Sequence, residues 1–329
     1  MSALGIRKAI IHIIDTNLDI PVLSNNVLPL NAEVEEFIFK HIEKTMFDDA
    51  LKKASFRDFS SNIPAKISCL IDDPDLFVAL TKEISTKFFE FLKKNPIIDA
   101  CDLLFSIYAF EDKNYFAIFK MTYKDSFIHY VDGQTNSIVK QKTTLPLPSQ
   151  KIDEAVIIDI DELSIDILEK KVEVNGEKVF YLSEYIMEAD TNLSVKDKVK
   201  IFEKTSKKFK KEFMNEGIED DFKIKDVVSK SIEEKGEIDI DYVADNLFEE
   251  NSQVKDIFID SFKDSGLEEN KVPVSEKIAN KTYFKQKIKT DNGIDISLPT
   301  NYCTNKDLVE FVNNSDGSVS IIIKNVKLK

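Results

Sequence analysis

The chain has 329 residues, of which 43% are hydrophobic and 24 are Phe, so it can bury substantial cores without disulfides or metal, and its length favours two domains. Its 45 basic and 59 acidic residues give a net charge of −14, so the average surface repels phosphate and anionic lipid. Any contact with nucleic acid must therefore come from a local basic patch.

The first elements form a strand pair followed by two helices. Residues 6–14 are rich in β-branched side chains, and a second run at 18–23 contains Pro21, which predicts a hairpin whose second strand lies at a sheet edge. Asn31 is predicted to cap a helix that extends to about residue 55. A second amphipathic helix is predicted from about Asp73, with Pro74 in its first turn, to Asn95.

Hairpins dominate the next part of the chain. The apolar runs 103–110 and 115–123, joined by a short polar turn, predict the clearest one. Four Asx-Gly pairs between strand-like runs suit type I′ turns, and their glycines are Gly133, Gly176, Gly293 and Gly317. Antiparallel pairing is therefore expected.

The pattern changes to helices between residues 184 and 266 and returns to strands over 283–326. We expect an α+β fold with a mainly antiparallel sheet and two N-terminal helices, followed by a helical region and a small C-terminal β unit. The domain boundary is placed near Thr191, giving an N-terminal α+β domain over 1–190 and a C-terminal helical region with terminal β hairpins over 191–329.

Cellular location is predicted from the cysteines and the N-terminus. Cys69, Cys101 and Cys303 form no close pair and are interpreted as reduced thiols. The first segment contains Arg7 and Lys8 and has no small-residue cleavage site, and no apolar run approaches the length of a membrane span. These features predict a cytoplasmic protein without a membrane partner.

Glycine spacing argues against several enzyme classes. The closest two of the eight glycines, Gly217 and Gly236, are 19 residues apart. A Walker A loop, a dinucleotide-binding fingerprint and a nucleophile elbow each need two or more glycines within a few residues. His12, His41 and His129 lack metal-ligand spacing, so no catalytic residue, metal ligand or cofactor is predicted.

The best enzyme-like pattern is carboxylate-rich. Asp159, Asp161 and Asp166 precede Glu169 and Lys171, the order found in metal-dependent nuclease hairpins. Glu-x-Lys is common in a chain that is 32% charged, however, and a solvated strand edge is favoured roughly tenfold over a nuclease.

The strongest candidate for a binding site is a basic helix. Residues 194–214 contain eight lysines and three acids, a local charge of +5. At helical rotation the apolar residues fall on one stripe and five lysines gather opposite: Lys200, Lys204, Lys207, Lys208 and Lys211. A phosphate-binding face and a plain solvated helix face are about equally favoured, and residues 270–289 form a second basic stretch.

Six segments in order carry a resemblance to a known family. They are residues 6–13, the Leu-Pro-Leu step at 28–30 into the helix at 33–55, the 101–105 strand, 158–161, 292–296 and the closing strand 318–323. Together they resemble the bacterial nucleoid-associated protein family of the NdpA type over nearly the whole chain. The resemblance implies a protein of the nucleoid that binds DNA or DNA-associated proteins, without a cofactor.

The leading expectation is a non-enzymatic, nucleoid-associated protein that binds DNA without sequence specificity or associates with DNA-bound proteins. Only Arg7 and Arg57 are arginines, the usual bidentate readers of guanine, which favours contact through phosphate. An adaptor for chromosome-processing or defence machinery is the alternative, and a divergent metal-dependent nuclease is a distant third. Self-association is a further expectation for the chain's partners.

Overall fold

The computed structural model describes residues 4–214, 217–249 and 251–327. The chain divides into two compact units, Met1–Ser194 and Val195–Lys329. A main antiparallel sheet is accompanied by helices and several two-stranded sheets, which confirms the α+β class. Within the described ranges, no helix is both long enough and apolar enough to cross a bilayer.

The first unit is built around one large sheet. Its strands are β1 (Gly5–Ile14), β2 (Lys52–Phe56), β3 (Cys101–Phe110), β4 (Lys113–Thr122), β5 (Lys124–Asp132), β6 (Thr135–Thr144), β7 (Ala155–Asp159), β8 (Ser164–Leu168), β9 (Val172–Val174), β10 (Glu177–Val179) and β11 (Ala189–Thr191). Its helices are α1 (Ala32–Met46), α2 (Asn62–Ile67), α3 (Leu76–Lys94) and a π-helical segment, Leu182–Met187. Seven of the described strands pair in the order β1-β3-β4-β7-β8-β2-β11, whereas β5 pairs only with β6 and β9 only with β10.

Both faces of the large sheet are covered. On one face, Phe105, Phe116 and Ile158 pack with α3 through Phe77, Phe88 and their neighbours. On the other face, residues that alternate with these along the strands, such as Leu104 and Ala117, pack with Ile38 and Ile42 of α1. Because β3 is covered on both sides, it is apolar almost throughout and does not alternate between apolar and polar residues.

The first predicted helix begins where expected and ends earlier. The Asn31 side chain accepts a hydrogen bond from the Val34 amide, which confirms the predicted cap. The extension to residue 55 is wrong, because α1 stops at Met46 and residues 52–56 form β2. Strand β2 pairs with β8 and β11, so sheet pairing outweighs the helical tendency of its lysines and alanine.

Two further N-terminal predictions need correction. Residues 18–23 form no strand, since a single bridge between Ile13 and Val22 is the whole of the pairing there. Helix α3 begins at Leu76, after Asp73 and Pro74, and a short helix, α2, precedes it.

The hairpins predicted after residue 100 are present. Strands β3 and β4 are joined through Glu111 and Asp112, which both have positive φ, as type I′ turns require. The Asx-Gly pairs at 132–133 and 175–176 connect β5 to β6 and β9 to β10, and those at 292–293 and 316–317 connect strand pairs of the second unit. Each glycine has positive φ, but of the four Asx residues only Asn175 does, so a type I′ turn is confirmed at 175–176 and that prediction is wrong at the other three pairs.

The second unit contains the other helices of the described residues. They are α4 (Val195–Phe213), α5 (Ile218–Lys235), α6 (Ile240–Leu247), α7 (Ser252–Asp264), α8 (Glu276–Ile278), a π-helical segment (Ala279–Tyr283) and α9 (Thr300–Cys303). Its strands are β12 (Glu237–Asp239), β13 (Lys271–Pro273), β14 (Lys285–Lys289), β15 (Asp295–Pro299), β16 (Val309–Asn313) and β17 (Val319–Ile323). Helices α4 to α7 enclose a phenylalanine-rich core, and a smaller cluster lies between α5 and the C-terminal hairpins.

Candidate nucleic-acid interface

Helix α4 carries the predicted lysine face. Its residues include no glycine or proline, and its apolar residues recur at helical spacing, so one side of the helix can be buried along its length. Val199, Phe202 and Phe209 are all buried in the core of the second unit. The predicted apolar stripe is therefore largely a core face.

Ring contacts hold α4 in place. The Phe202 ring stacks on Phe262 with centroids 5.1 Å apart, and Phe209 meets the edge of Phe258 at 4.9 Å. Phe213, predicted as the last member of the stripe, is 47% exposed and is covered only partly by stacking on Phe209. The rigid part of the helix thus extends from Val199 to Phe209.

The five predicted lysines lie together on the outer side of α4. All five are exposed: Lys200, Lys204, Lys207, Lys208 and Lys211. Over the described ranges, four of them have no ion-pair partner, and Lys208 has a loose one, Glu212, with 3.9 Å between the charged atoms. We call these five residues the lysine face.

Of the remaining lysines of α4, one has no ion-pair partner among the described residues and two are held by partners. Lys196, one turn before Lys200, is also exposed and extends the lysine face. Its spacing of four residues from Lys200 could have indicated this position from the sequence. Lys198 pairs with Glu269 at 2.9 Å. Lys210 is buried, with its ammonium 2.7 Å from Asp221 and donating to the Gly217 carbonyl at 3.0 Å.

A cleft of about 450 Å³ lies beside α4 within the second unit. Lys207 and Lys210 line one part of it, and Lys225 and Gln286 line another. Burial lowers the pKa of Lys225, and burial raises the pKa of Glu203, which also lines the cleft. The Lys225 ammonium donates to the Lys285 carbonyl and the Gln286 side chain, so it holds β14 in place.

A second basic row lies on β14. Lys285, Lys287 and Lys289 are exposed and alternate with half-buried Gln286 and Ile288. Alternation along a strand places the three ammonium groups on one face. This row is the surface that the second basic stretch forms.

The consecutive helices α6 and α7, by contrast, are acidic. Helix α6 contributes Asp241 and Asp245, and α7 carries three aspartates and two lysines. Like charges would repel the DNA backbone from this pair of helices. Positive charge in the second unit is thus concentrated on α4 and β14.

Asp159, Asp166 and Glu169 of the nuclease-like pattern have separate structural partners. Asp159 accepts hydrogen bonds from the Asp161 and Glu162 amides at 3.0 and 2.9 Å, and from Lys113 at 3.1 Å. Burial opposes ionisation of Asp159, but these donors outweigh it and lower its pKa. Asp159 therefore fixes the turn between β7 and β8.

The side chain of Glu169 is fully buried. Its carboxylate lies 3.1 Å from the Lys52 ammonium and accepts a hydrogen bond from the Ser183 amide. Asp166 pairs with Lys53 at 2.7 Å. Throughout the described residues, no group of three or more His, Cys, Asp or Glu side chains is arranged to hold a metal ion.

Comparison with known proteins identifies a family. A family model described as nucleoid-associated protein YejK matches residues 10–329. A search of curated proteins gives no match.

Proposed function

The chain belongs to the nucleoid-associated protein family, and on that basis we propose that it binds duplex DNA in the nucleoid through the lysine face of α4. The main observation in support is that five exposed lysines lie opposite a buried apolar stripe on one helix. Lysines that bind phosphate release condensed counterions, which is the main source of affinity in sequence-independent binding.

The dimensions of the lysine face suit a DNA backbone. From Lys200 to Lys211 the helix rises about 16 Å, because each residue adds 1.5 Å. A major groove is about 12 Å wide, so lysines at the two ends of the face can reach phosphates on both of its edges. The packed phenylalanines behind the face keep this spacing fixed.

Base-specific recognition has little support in the same unit. Both arginines lie in the first unit, and the Arg57 guanidinium pairs with Asp190 at 2.8 Å. Lysine acts as a point charge without the planar fork that reads guanine. Binding through the lysine face would therefore be governed by phosphate and depend little on sequence.

A second candidate function, association with DNA-bound proteins, is favoured by the C-terminal hairpin. Strands β16 and β17 leave Val312, Val319, Ile322 and Ile323 exposed on a two-stranded sheet. Exposed apolar side chains of this kind contribute to protein interfaces and give little attraction to a phosphate backbone.

The first prediction tests the lysine face by salt titration of duplex binding. Five neutralised phosphates give a slope of roughly −4.5 in log K against log salt, and changing the five lysines to Gln should remove most of that slope. Gln has similar helix propensity, so circular dichroism of the variant should match the wild type.

A matched control changes five exposed lysines outside α4, none of which has an ion-pair partner within the described ranges: Lys94, Lys178, Lys223, Lys306 and Lys327. This control alters net charge equally, and its slope should stay within about one of the wild-type value. Equal slopes for the α4 variant and the wild type would contradict the proposal and direct the same test to the β14 row. Absence of binding by every protein would favour association with proteins.

A further inference from the structure

Strands β5 and β6 form a hairpin that takes no part in the large sheet. Strands β4 and β7 are antiparallel neighbours in that sheet, and a short turn could connect them. Residues 124–144 instead leave the sheet and return as a separate two-stranded ribbon. We call this ribbon the arm.

The arm has almost no support from its own unit. Its strands contact mainly each other, and none of its side chains belongs to the hydrophobic clusters of the described residues. A two-stranded ribbon alone is at best marginally stable in water. An additional contact is therefore needed to hold the arm in the conformation seen.

Both faces of the arm are apolar and exposed. In the pairing register, His129 lies opposite Ile138, which places Phe127, Val131 and Ile138 on one face. Ile128 lies opposite Val139, which places these two residues and Tyr130 on the other face. Phe127 is 70% and Ile138 is 78% exposed.

The exposed apolar area is close to what a protein interface requires. The six side chains together expose roughly 600 Å², divided between the two faces, so each face lies within the usual size of an apolar patch on a soluble monomer. Each partner of a standard interface contributes about 800 Å², so the arm with its polar flanks can supply one side of a stable dimer. The outer edges of β5 and β6 pair with no other described strand, so their backbone N–H and C=O groups are available for strand addition.

Charge permits a second copy as the partner. The chain carries −14, so two copies repel one another over most of their surfaces. The arm itself has Lys124, Lys140 and Lys142 against Asp125 and Asp132, a local charge of +1. Two arms can meet with little like-charge repulsion, and a self-complementary apolar face suits the two-fold contact of a homodimer.

DNA is a poor alternative partner for this surface. Lys140 is already paired with Asp125 at 2.5 Å, and Asp132 offsets one of the other two lysines, so the arm presents a net charge of only +1 to phosphate. An apolar face gains little against the charged backbone of a duplex. We propose that the arm is a dimerisation element whose apolar faces are covered by a second copy of this chain.

The second prediction is tested by sedimentation velocity of the full chain over a dilution series. The wild type should sediment as a dimer, and changing Phe127 and Ile138 together to Thr should weaken dimerisation at least about 100-fold, because large apolar residues at an interface centre carry most of the affinity. Threonine favours strands, so far-UV circular dichroism should remain close to that of the wild type.

The matched control changes Ile20 and Ile97 to Thr, since these residues are 74% and 68% exposed in the same unit and lie outside the arm. This control should remain dimeric. A wild type that is monomeric at about 50 µM would overturn the proposal, since it would set Kd well above that of a specific interface. A dimer that the arm substitutions do not weaken would also overturn the proposal. So would hydrogen-exchange data in which the arm amides become protected only after duplex DNA is added.

Discussion

Two buried lysines of the first unit contrast with the exposed lysines on α4 of the second unit. In the first unit, Lys52 and Lys120 are buried and paired with Glu169 and Glu154. On α4 of the second unit, the five lysines of the lysine face point to solvent and are essentially unpaired with other described residues. Composition therefore does not say whether a lysine stabilises the fold or is available to a partner, whereas burial does.

The largest expected effect breaks a buried pair in the first unit. The Lys120 ammonium lies 2.6 Å from Glu154, with side-chain exposures of 3% and 1%. Lys120→Met leaves Glu154 buried without a counterion, which should cost about 3–5 kcal/mol of unfolding free energy in chemical denaturation. The double variant Lys120→Met with Glu154→Leu should recover most of that loss, because a buried pair replaced by apolar residues is often neutral.

A surface ion pair provides the control for this comparison. The exposed pair Glu36 and Lys40 lies on α1, and Glu36→Gln should leave the unfolding free energy nearly unchanged. A loss of similar size in Glu36→Gln and Lys120→Met would show that burial does not separate the two kinds of lysine.

The next effect in size depends on pH and concerns His12, also buried in the first unit. Its Nδ1 accepts from the Ser24 amide and its Nε2 lies 3.0 Å from the Thr81 hydroxyl, which together favour the neutral ring. Burial, with a smaller contribution from the Lys82 charge, lowers the pKa of His12 to about 4. Because the unfolded chain binds the proton more tightly, stability should fall as pH drops from about 6.5 to 4, by up to about 3 kcal/mol.

The variant His12→Gln separates the contribution of His12 to the pH dependence of stability from the contribution of the carboxylates. The cost of the substitution should be about 2–3 kcal/mol smaller at pH 4.5 than at pH 7.5, as measured by denaturation at both values. An identical cost at the two pH values would mean that His12 does not control the acid response.

Sequence periodicity predicted some of these features and not others. The stripe of α4 could be predicted because side chains three and four apart share a face, which places Phe202 and Lys200 on opposite sides. Strand β2 could not, because its five residues have no helix-breaking residue before them and depend on pairing with distant β8. Likewise, the Asp132-Gly133 turn predicted a hairpin, but the alternation of side chains along the two strands does not reveal that both faces of the arm are exposed.

The nuclease-like pattern shows a related limit. Glu-x-Lys spacing places Glu169 and Lys171 on one strand side but gives no information about distant partners. Glu169 pairs with Lys52, which is 117 residues away along the chain. Removing Glu169 should therefore reduce stability in addition to any effect on chemistry, and loss of activity in such a variant would not identify a catalytic residue.

The smallest expected effect lies within α4, where two neighbouring lysines have different roles. Lys210 is buried against Asp221 and the Gly217 carbonyl, whereas Lys211 belongs to the lysine face. Lys210→Gln should lower the unfolding free energy by about 1–2 kcal/mol, and Lys211→Gln should change it by less than about 0.5 kcal/mol. In duplex binding the order should reverse, with Lys211→Gln reducing the salt slope by about one and Lys210→Gln leaving it nearly unchanged. Both substitutions remove one positive charge from the same helix, so net charge and helix propensity are matched. Equal effects of the two variants on stability and on the salt slope would show that exposure on α4 does not decide which lysines are available to DNA.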